Sequence, residues 1–269
     1  ETIITPNMVW EQLDFNLDNP LFQDARVRQA VMLAIDKPAI IGTLLKNVTV
    51  PAAGDQPSWS WAYNPALKSP ARDVAAAQDL LAQAGWKLAA GENILSKDGR
   101  KFKFSLVTTS DNKTRELVAQ AIAAQLKEVG IEVEVQTVEA RNLFADILPT
   151  RRFTAAMYAR VAGVDPDNTI LWHSKSVPGS ANKFQGQNYS GWRNPEVDIL
   201  TGQAARTVDI ESRQQIYYRI QDLIQQEVPV VPLYFRVNID ARRANIDNYR
   251  PNPTPAGNFW NAWEWGIAG

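Results

Sequence analysis

The sequence has 269 residues, 45% apolar and 21% charged, a balance that supports a sizeable core and excludes a disordered chain. Its 28 basic and 29 acidic side chains nearly cancel, leaving no basic field to collect on nucleic acid or anionic lipid. With no cysteine and a single histidine, disulfides, thiol catalysis and histidine-rich metal sites are excluded, and no cofactor is expected.

The first residues, Glu1-Thr2-Ile3-Ile4-Thr5-Pro6, lack the basic and apolar regions of a signal peptide. No later stretch is apolar for long enough to span a bilayer, so the chain reads as soluble and truncated. Residues 10–17 set Trp10, Gln12, Asp14 and Asn16 against Glu11, Leu13, Phe15 and Leu17, a period of two that predicts a strand. After Asn19-Pro20, Val27, Ala30, Val31 and Ala34 recur at helical spacing over 26–34, and a second helix over 38–45 has Asp36 to cap it and Pro38 in its first turn. Residues 51–70 hold four prolines and the cluster Trp59-Ser60-Trp61-Ala62-Tyr63 without a sustained period, which predicts an ordered loop whose aromatics pack on something.

An alanine-rich helix begins at Asp73 and stops at Ala84-Gly85-Trp86, where glycine supplies the left-handed residue. A turn-rich stretch around Gly91 and Asp98-Gly99 leads to a strand over 102–108, and Ser110-Asp111-Asn112 leads a long helix over 114–129 that Gly130 closes. A half-exposed strand over 132–138, a short helix over 143–148 and a strand over 153–161 follow. Two helices, 195–205 and 210–227, precede the apolar run 228–237, which suits a strand buried on both faces. The strand–helix–strand–helix–strand order in the middle predicts a mainly parallel sheet within a mixed one, flanked by helices. No internal repeat or low-complexity segment is present.

The same reading limits the chemistry. No Gly-x-Ser-x-Gly elbow, Walker loop or Rossmann glycine fingerprint occurs, and His173, directly after Trp172, reads as structural. Asp165-Pro166-Asp167-Asn168 offers two carboxylates just past a strand. The pattern suits a turn that caps a helix over 169–173 better than an acid–base pair, although strand ends in open α/β sheets are also where ligands settle. Arg160, near the end of that strand, either binds a carboxylate or phosphate in a crevice or pairs at the surface with Asp165 or Asp167. Trp59, Trp61, Tyr63, Tyr189 and Trp192 serve as walls for a ligand or, more commonly for such residues, as anchors under long loops.

Several segments together resemble the family 5 solute-binding proteins, the receptors for oligopeptides, dipeptides and nickel in ABC importers. The most specific is Asn19-Pro20-Leu21-Phe22-Gln23-Asp24-Ala25-Arg26-Val27-Arg28-Gln29-Ala30 with Ala34-Ile35-Asp36-Lys37. It is followed in order by Ala84-Gly85-Trp86, Gly130-Ile131-Glu132-Val133, Asp165-Pro166-Asp167-Asn168, Asn188-Tyr189-Ser190-Gly191-Trp192-Arg193-Asn194-Pro195 and the segment 229–234. The likeness covers only the C-terminal part of such proteins.

The resemblance implies a periplasmic-binding-protein-like (class II, cluster C) C-terminal lobe of a monomeric receptor. In it, residues 1–18 are a hinge-proximal strand, 19–237 the lobe, and 238–269 a hinge-proximal tail. It implies capture of a small solute and its delivery to an ABC permease outside the membrane, in the periplasm or on the extracellular face, with the N-terminal lobe of the same protein forming the other wall of the cleft. Within such a lobe the residues themselves point to Arg160 for reading charge, Asp165 and Asn168 for shaping the cleft floor, and Asn188, Tyr189 and Trp192 for loop contacts. Peptide-binding relatives carry an acid shortly before the Asp-Pro step, and Arg160-Val161-Ala162-Gly163-Val164 has none, which shifts the expected solute from an ordinary peptide toward an anion. The rivals are a hydrolase using Asp165, Asp167 and His173, and an interaction module using the aromatic tail over 259–265.

Overall fold

The computed structural model describes residues 1–268. The first strand, β1 (Thr2–Phe15), is longer than its alternating core, because residues 2–6 pair with residues 237–241 of the last strand across a register shift that follows Pro6. No apolar alternation marks this extension; its partner does. Helices α1 (Ala25–Ala34) and α2 (Lys37–Leu44) follow, and the Asp24 and Asp36 carboxylates accept from Arg26 N and Ala39 N. Next come α3 (Val74–Gln83), capped by Asp73, and a small antiparallel sheet of β2 (Lys87–Leu88), β3 (Leu95–Lys97) and β4 (Arg100–Lys101). This small sheet occupies the stretch read as turns; its strands are too short to show a period.

The unit β5 (Lys103–Thr109), α4 (Lys113–Glu128), β6 (Glu132–Val138), α5 (Ala140–Asn142, continuing into a π turn over Leu143–Ile147) and β7 (Ala155–Val161) is the expected alternation. Asn112 caps α4, and Gly130, at φ +80°, turns the chain out of it. Then follow α6 (Thr169–Trp172), α7 (Pro195–Ala204), α8 (Ile210–Glu227) and β8 (Val230–Ala241). The tail adds a two-stranded pair, β9 (Ile246–Asp247) with β10 (Gly266–Ile267).

The main sheet has the order β6-β5-β7-β1-β8. Pairings β5–β6 and β5–β7 are parallel and β7–β1 and β1–β8 antiparallel, so β1 alone runs against the other strands. Helices cover both faces. One core, around Leu13, Phe15, Phe22, Phe102 and Leu126, lies under α1 to α4; the other, around Trp10, Trp172, Trp192 and Tyr217, lies under α6 to α8. The run in β8 is buried, yet β8 is an edge strand. Its free edge is covered by the loop that follows α2: Ala52 N donates to Leu233 O (3.0 Å), Thr49 Oγ1 donates to Phe235 O (2.6 Å), and Pro51 bridges Tyr234.

Arg28 anchors the Asn19-to-Ala30 segment to the end of α8. Its buried guanidinium donates to the carbonyls of Phe22, Gln23, Glu227 and Val228, which closes the C-terminus of α8 where Val228 adopts a left-handed φ of +48°. Burial pulls its pKa down to about 10.

Lys37 is more unusual. It is 3% exposed, and its ammonium meets only Ser69 Oγ (2.9 Å) and Ala52 O (3.3 Å), with no carboxylate among its partners. Burial lowers its pKa to about 8. The unfolded chain therefore binds more protons than the folded one between about pH 8 and the ordinary lysine value, so this residue's penalty on folding is full below pH 8 and is relieved as pH rises. Lys37→Met should gain stability relative to the parent at pH 7, and that advantage should shrink by about 2 kcal/mol by pH 10. Urea midpoints of both proteins at the two pH values check this; an advantage independent of pH would show a solvated ammonium.

Candidate functional site

The carboxyl ends of β5, β6 and β7 lie at one edge of the sheet. Because β1 is antiparallel to β7, with Val9 opposite Val161, its amino-terminal half leaves the sheet at that same edge, paired with 237–241 as a two-stranded ribbon. Two buried polar clusters end there, one on each face.

On the face carrying Leu13 and Phe15, Glu11 accepts from two guanidinium groups. Arg115 Nε reaches Oε2 (2.9 Å) and its terminal nitrogen reaches Oε1 (3.1 Å), while Arg236 gives Nε (2.8 Å) and a terminal nitrogen (2.5 Å) to Oε1. Arg115 also donates to Thr109 Oγ1 (2.6 Å). The Glu11 and Arg115 side chains are 2% and 7% exposed and Arg236 is 37% exposed, so the cluster runs from interior to surface. It borders a cavity of about 270 Å³ lined in part by Asn112, Thr114, Tyr234 and Arg236. The Thr109 hydroxyl, and more weakly the two arginines, hold the Asp111 carboxyl below its usual range. A second cavity, of about 180 Å³, lies between Pro6, Phe235, Tyr63 and loop 47–58.

On the opposite face a polar row runs inward from the edge. Trp10 faces Arg160, Gln12 faces Tyr158 and Asp14 faces Ala156 across the β1–β7 ladder. Tyr158 OH donates to Asp14 Oδ2 (2.5 Å), and Arg160 donates to Tyr158 OH (2.8 Å) and Gln187 O (2.8 Å), with Asp14 Oδ2 at 3.4 Å. Gln12 Nε2 donates to Asp14 Oδ1. The Arg160 guanidinium carbon stands 5.3 Å from the Tyr158 ring centre and 5.2 Å from that of Tyr189, at cation–π range. Burial pushes the Asp14 carboxyl up, and Arg160 and Tyr158 oppose that rise. Trp10 Nε1, Gln12 Oε1 and Arg160 Nε have no partner among the described residues.

Arg160 is therefore 6% exposed, with its charge facing Asp14 within the lobe. Neither of the partners considered for it, Asp165 or Asp167, meets it. Asp165 forms a two-pronged ion pair with Arg213 (2.6 and 2.7 Å), and Asp167 accepts from Thr169 N and Oγ1, so Asp167 supplies the helix cap. Asn168, 3% exposed, turns inward to Asp55. Asn188 spends its amide on the carbonyls of Trp192, Trp172 and His173 and accepts from Ser190 Oγ and Trp192 N. Trp192 is 1% exposed, bonds Glu227 through Nε1 (2.6 Å), and stacks edge-on against Trp172. These two residues shape the loop from within, while Tyr189 stays half-buried against Arg160. Gly191, at φ +74°, lies where the Arg151 guanidinium fills the space of a Cβ; Arg151 in turn holds the carbonyls of Tyr189 and Ser190.

His173 Nδ1 accepts from Lys175 N (3.0 Å) and lies 3.3 Å from Asp198 Oδ1, and the neighbouring Ser174 hydroxyl donates to Asp198 and not to the imidazole. Among the described residues no group of three His, Cys, Asp or Glu is placed to hold a metal ion, and no helix is long and apolar enough to cross a membrane. Pattern reading missed the Glu11–Arg115–Arg236 and Asp14–Tyr158 connections. Their one visible signal was a set of polar residues inside otherwise apolar strands.

Residues 2–182 match the family model for "Bacterial extracellular solute-binding proteins, family 5 Middle". The chain is 32% identical over 259 residues to the oligopeptide-binding protein AppA of Bacillus subtilis, covering 95% of this chain and 46% of AppA. It is 26% identical over 269 residues to the glutathione-binding protein GsiB of Escherichia coli K12, covering 97% and 49%. The structure of AppA in complex with a nonapeptide superposes with a TM-score of 0.86 at 30% identity, over 100% of this chain and 52% of that one. The oligopeptide-binding protein of Thermus thermophilus, complexed with a pentapeptide, gives 0.84 at 30% identity, over 99% and 48%. The chain spans about half the length of the curated relatives it matches.

Proposed function

The chain belongs to family 5 of the bacterial extracellular solute-binding proteins, a non-enzymatic family, and from that premise we propose that it forms the C-terminal lobe of a two-lobe receptor that captures peptides for an ABC permease. The observation that carries this reading is the ribbon of residues 2–6 and 237–241. It leaves the sheet at the strand-end edge where both polar clusters and both cavities lie, as a hinge crossing to a second lobe must if the cleft is to close over that edge. The ribbon of 2–6 and 237–241 is then the hinge-proximal part, and the boundary expected after residue 18 moves: the rest of β1 pairs with β7 and β8 at the centre of the sheet and belongs to the lobe. Exposed Ile4, Ile239, Phe259, Trp263 and Ile267 give the ribbon and tail an apolar surface that the N-terminal lobe covers, which is also the alternative to an interaction module for the tail.

Peptides are favoured because AppA and the Thermus protein, each 30% identical in sequence over the superposed chain, hold them. The anion preference expected from Arg160 loses its basis, since that guanidinium faces Asp14 in the interior. Arg160 instead supports the wall formed by Tyr189 and Gln187, with Asp165 and Asn168 fixing the loop beside it. Binding and release by hinge closure, without covalent chemistry, is the mechanism. Mass spectrometry of small molecules co-purified with the two-lobe receptor should find peptides, and Tyr189→Ala should weaken their binding about tenfold by calorimetry. Recovery of only non-peptide solutes would overturn the assignment.

A further inference from the structure

Loop 51–63 buries one carboxyl group whose hydrogen bonds do not close. Asp55 is 2% exposed, and its Oδ2 accepts from both Asn168 Nδ2 (3.0 Å) and Trp172 Nε1 (2.8 Å). Asp55 Oδ1 and Asn168 Oδ1 are both buried and both lack a partner among the described residues. An ionised carboxylate and an amide oxygen are acceptors only. When an amide and a carboxyl group pair in one plane, as two amides do in a cyclic dimer, one N–H···O bond sets their remaining oxygens against one another. Two such acceptors repel in a buried site, whereas a single proton converts them into a second hydrogen bond and closes a ring.

We infer that Asp55 is a neutral acid at pH 7, paired reciprocally with the Asn168 amide as a proton-dependent clasp between loop 51–63 and the turn that opens α6. Burial acts in the same direction, raising the Asp55 carboxyl against the weaker opposing pulls of Trp172, Asn168, its own backbone N–H and the Gln56 side chain. The charged and titratable groups on the surrounding elements are engaged elsewhere. Asp165 pairs with Arg213, Asp167 caps α6, and His173 and Asp198 bond residues at the end of α6. Asp222 accepts from Asn64, and Lys37 reaches Ala52 O and Ser69. Tyr63, the remaining titratable group of the loop, lies at the cavity beside Phe235. The Asn168 side chain is thereby drawn away from the helix cap, a task that passes to Asp167.

The folded-state pKa of Asp55 is raised, so the folded chain holds a proton that the unfolded chain loses above the ordinary aspartate value, and stability falls as pH rises through that window. Asp55→Asn keeps both hydrogen bonds as an amide–amide pair without a titrating proton. In urea unfolding of the intact chain, followed by tryptophan fluorescence, the unfolding constant of the parent should rise tenfold relative to the variant for each pH unit between 5 and 7. A ¹³C NMR titration of the parent's assigned aspartate carboxyls reads the same point even if the variant does not fold, and should show the Asp55 carboxyl, told apart from the likewise buried Asp14 by its assignment, still neutral at pH 7. A flat ratio, an Asp55 carboxyl ionised at pH 7, or stabilisation of the parent by sodium or calcium in place of the pH slope would overturn the clasp, the last by placing a cation between the two oxygens.

Discussion

Glu11→Ala is expected to lower the unfolding free energy by about 3–5 kcal/mol, an effect as large as those of the deepest core truncations. Glu11 is the acidic centre of a cluster in which Arg115 is nearly as buried as the glutamate itself. Removing the carboxylate leaves the Arg115 guanidinium with Thr109 Oγ1 as its remaining side-chain partner, and the cost is that of an uncompensated interior charge. Arg236, more than a third exposed, can turn to water and contributes little. The comparison that isolates the mechanism is Glu11→Leu with Arg115→Met, which removes both charges and should recover most of the loss. Urea unfolding of the two single variants and the double gives the cycle. A cost below about 1 kcal/mol for Glu11→Ala would mean that the pair behaves as a hydrated surface bridge.

This cluster also shows where sequence reading stops. The parallel unit from β5 to β7 was legible because each element carries its own period, cap and stop: Asn112 before α4, Gly130 after it, alternation in β6. The placement of β1 antiparallel between β7 and β8 was not, since a strand's direction and neighbours are set by contacts far along the chain. The β1 extension over 2–6 was hidden for the same reason. Its residues have no pattern of their own and become a strand by pairing with 237–241. Residue types at the site were visible, but their partners were not. Arg160 read equally well as a ligand reader or a surface pair with Asp165 or Asp167, and that pair does not form, because Asp14 lies 146 positions away in sequence and directly beside it in space. Asn188 and Trp192 stood out for chemistry that the fold spends internally, on bonds to Trp172, His173 and Glu227.

The second large effect concerns that hidden pair. Arg160→Met leaves Asp14, whose side chain is 0% exposed, with Tyr158 OH and Gln12 Nε2 as its side-chain donors, and should cost about 3–5 kcal/mol at pH 8. The loss should depend on pH with a definite sign. Burial already pushes the Asp14 carboxyl up against the pull of Arg160. Without the arginine it rises further, so the folded variant binds more protons than its unfolded chain, and stability returns as pH falls toward the ordinary aspartate range. The variant should therefore approach the parent at pH 5, as read from urea midpoints at both pH values; a deficit independent of pH would locate the damage in packing against Tyr158 and Tyr189. Asp14→Asn combined with Arg160→Met removes the charge problem altogether and should recover most of the stability. In the two-lobe receptor that double variant separates the roles left open for Arg160. Stability restored with solute affinity lowered about tenfold would tie the cleft wall to this guanidinium, and affinity unchanged would remove Arg160 from the site and leave Tyr189 to stand on its own.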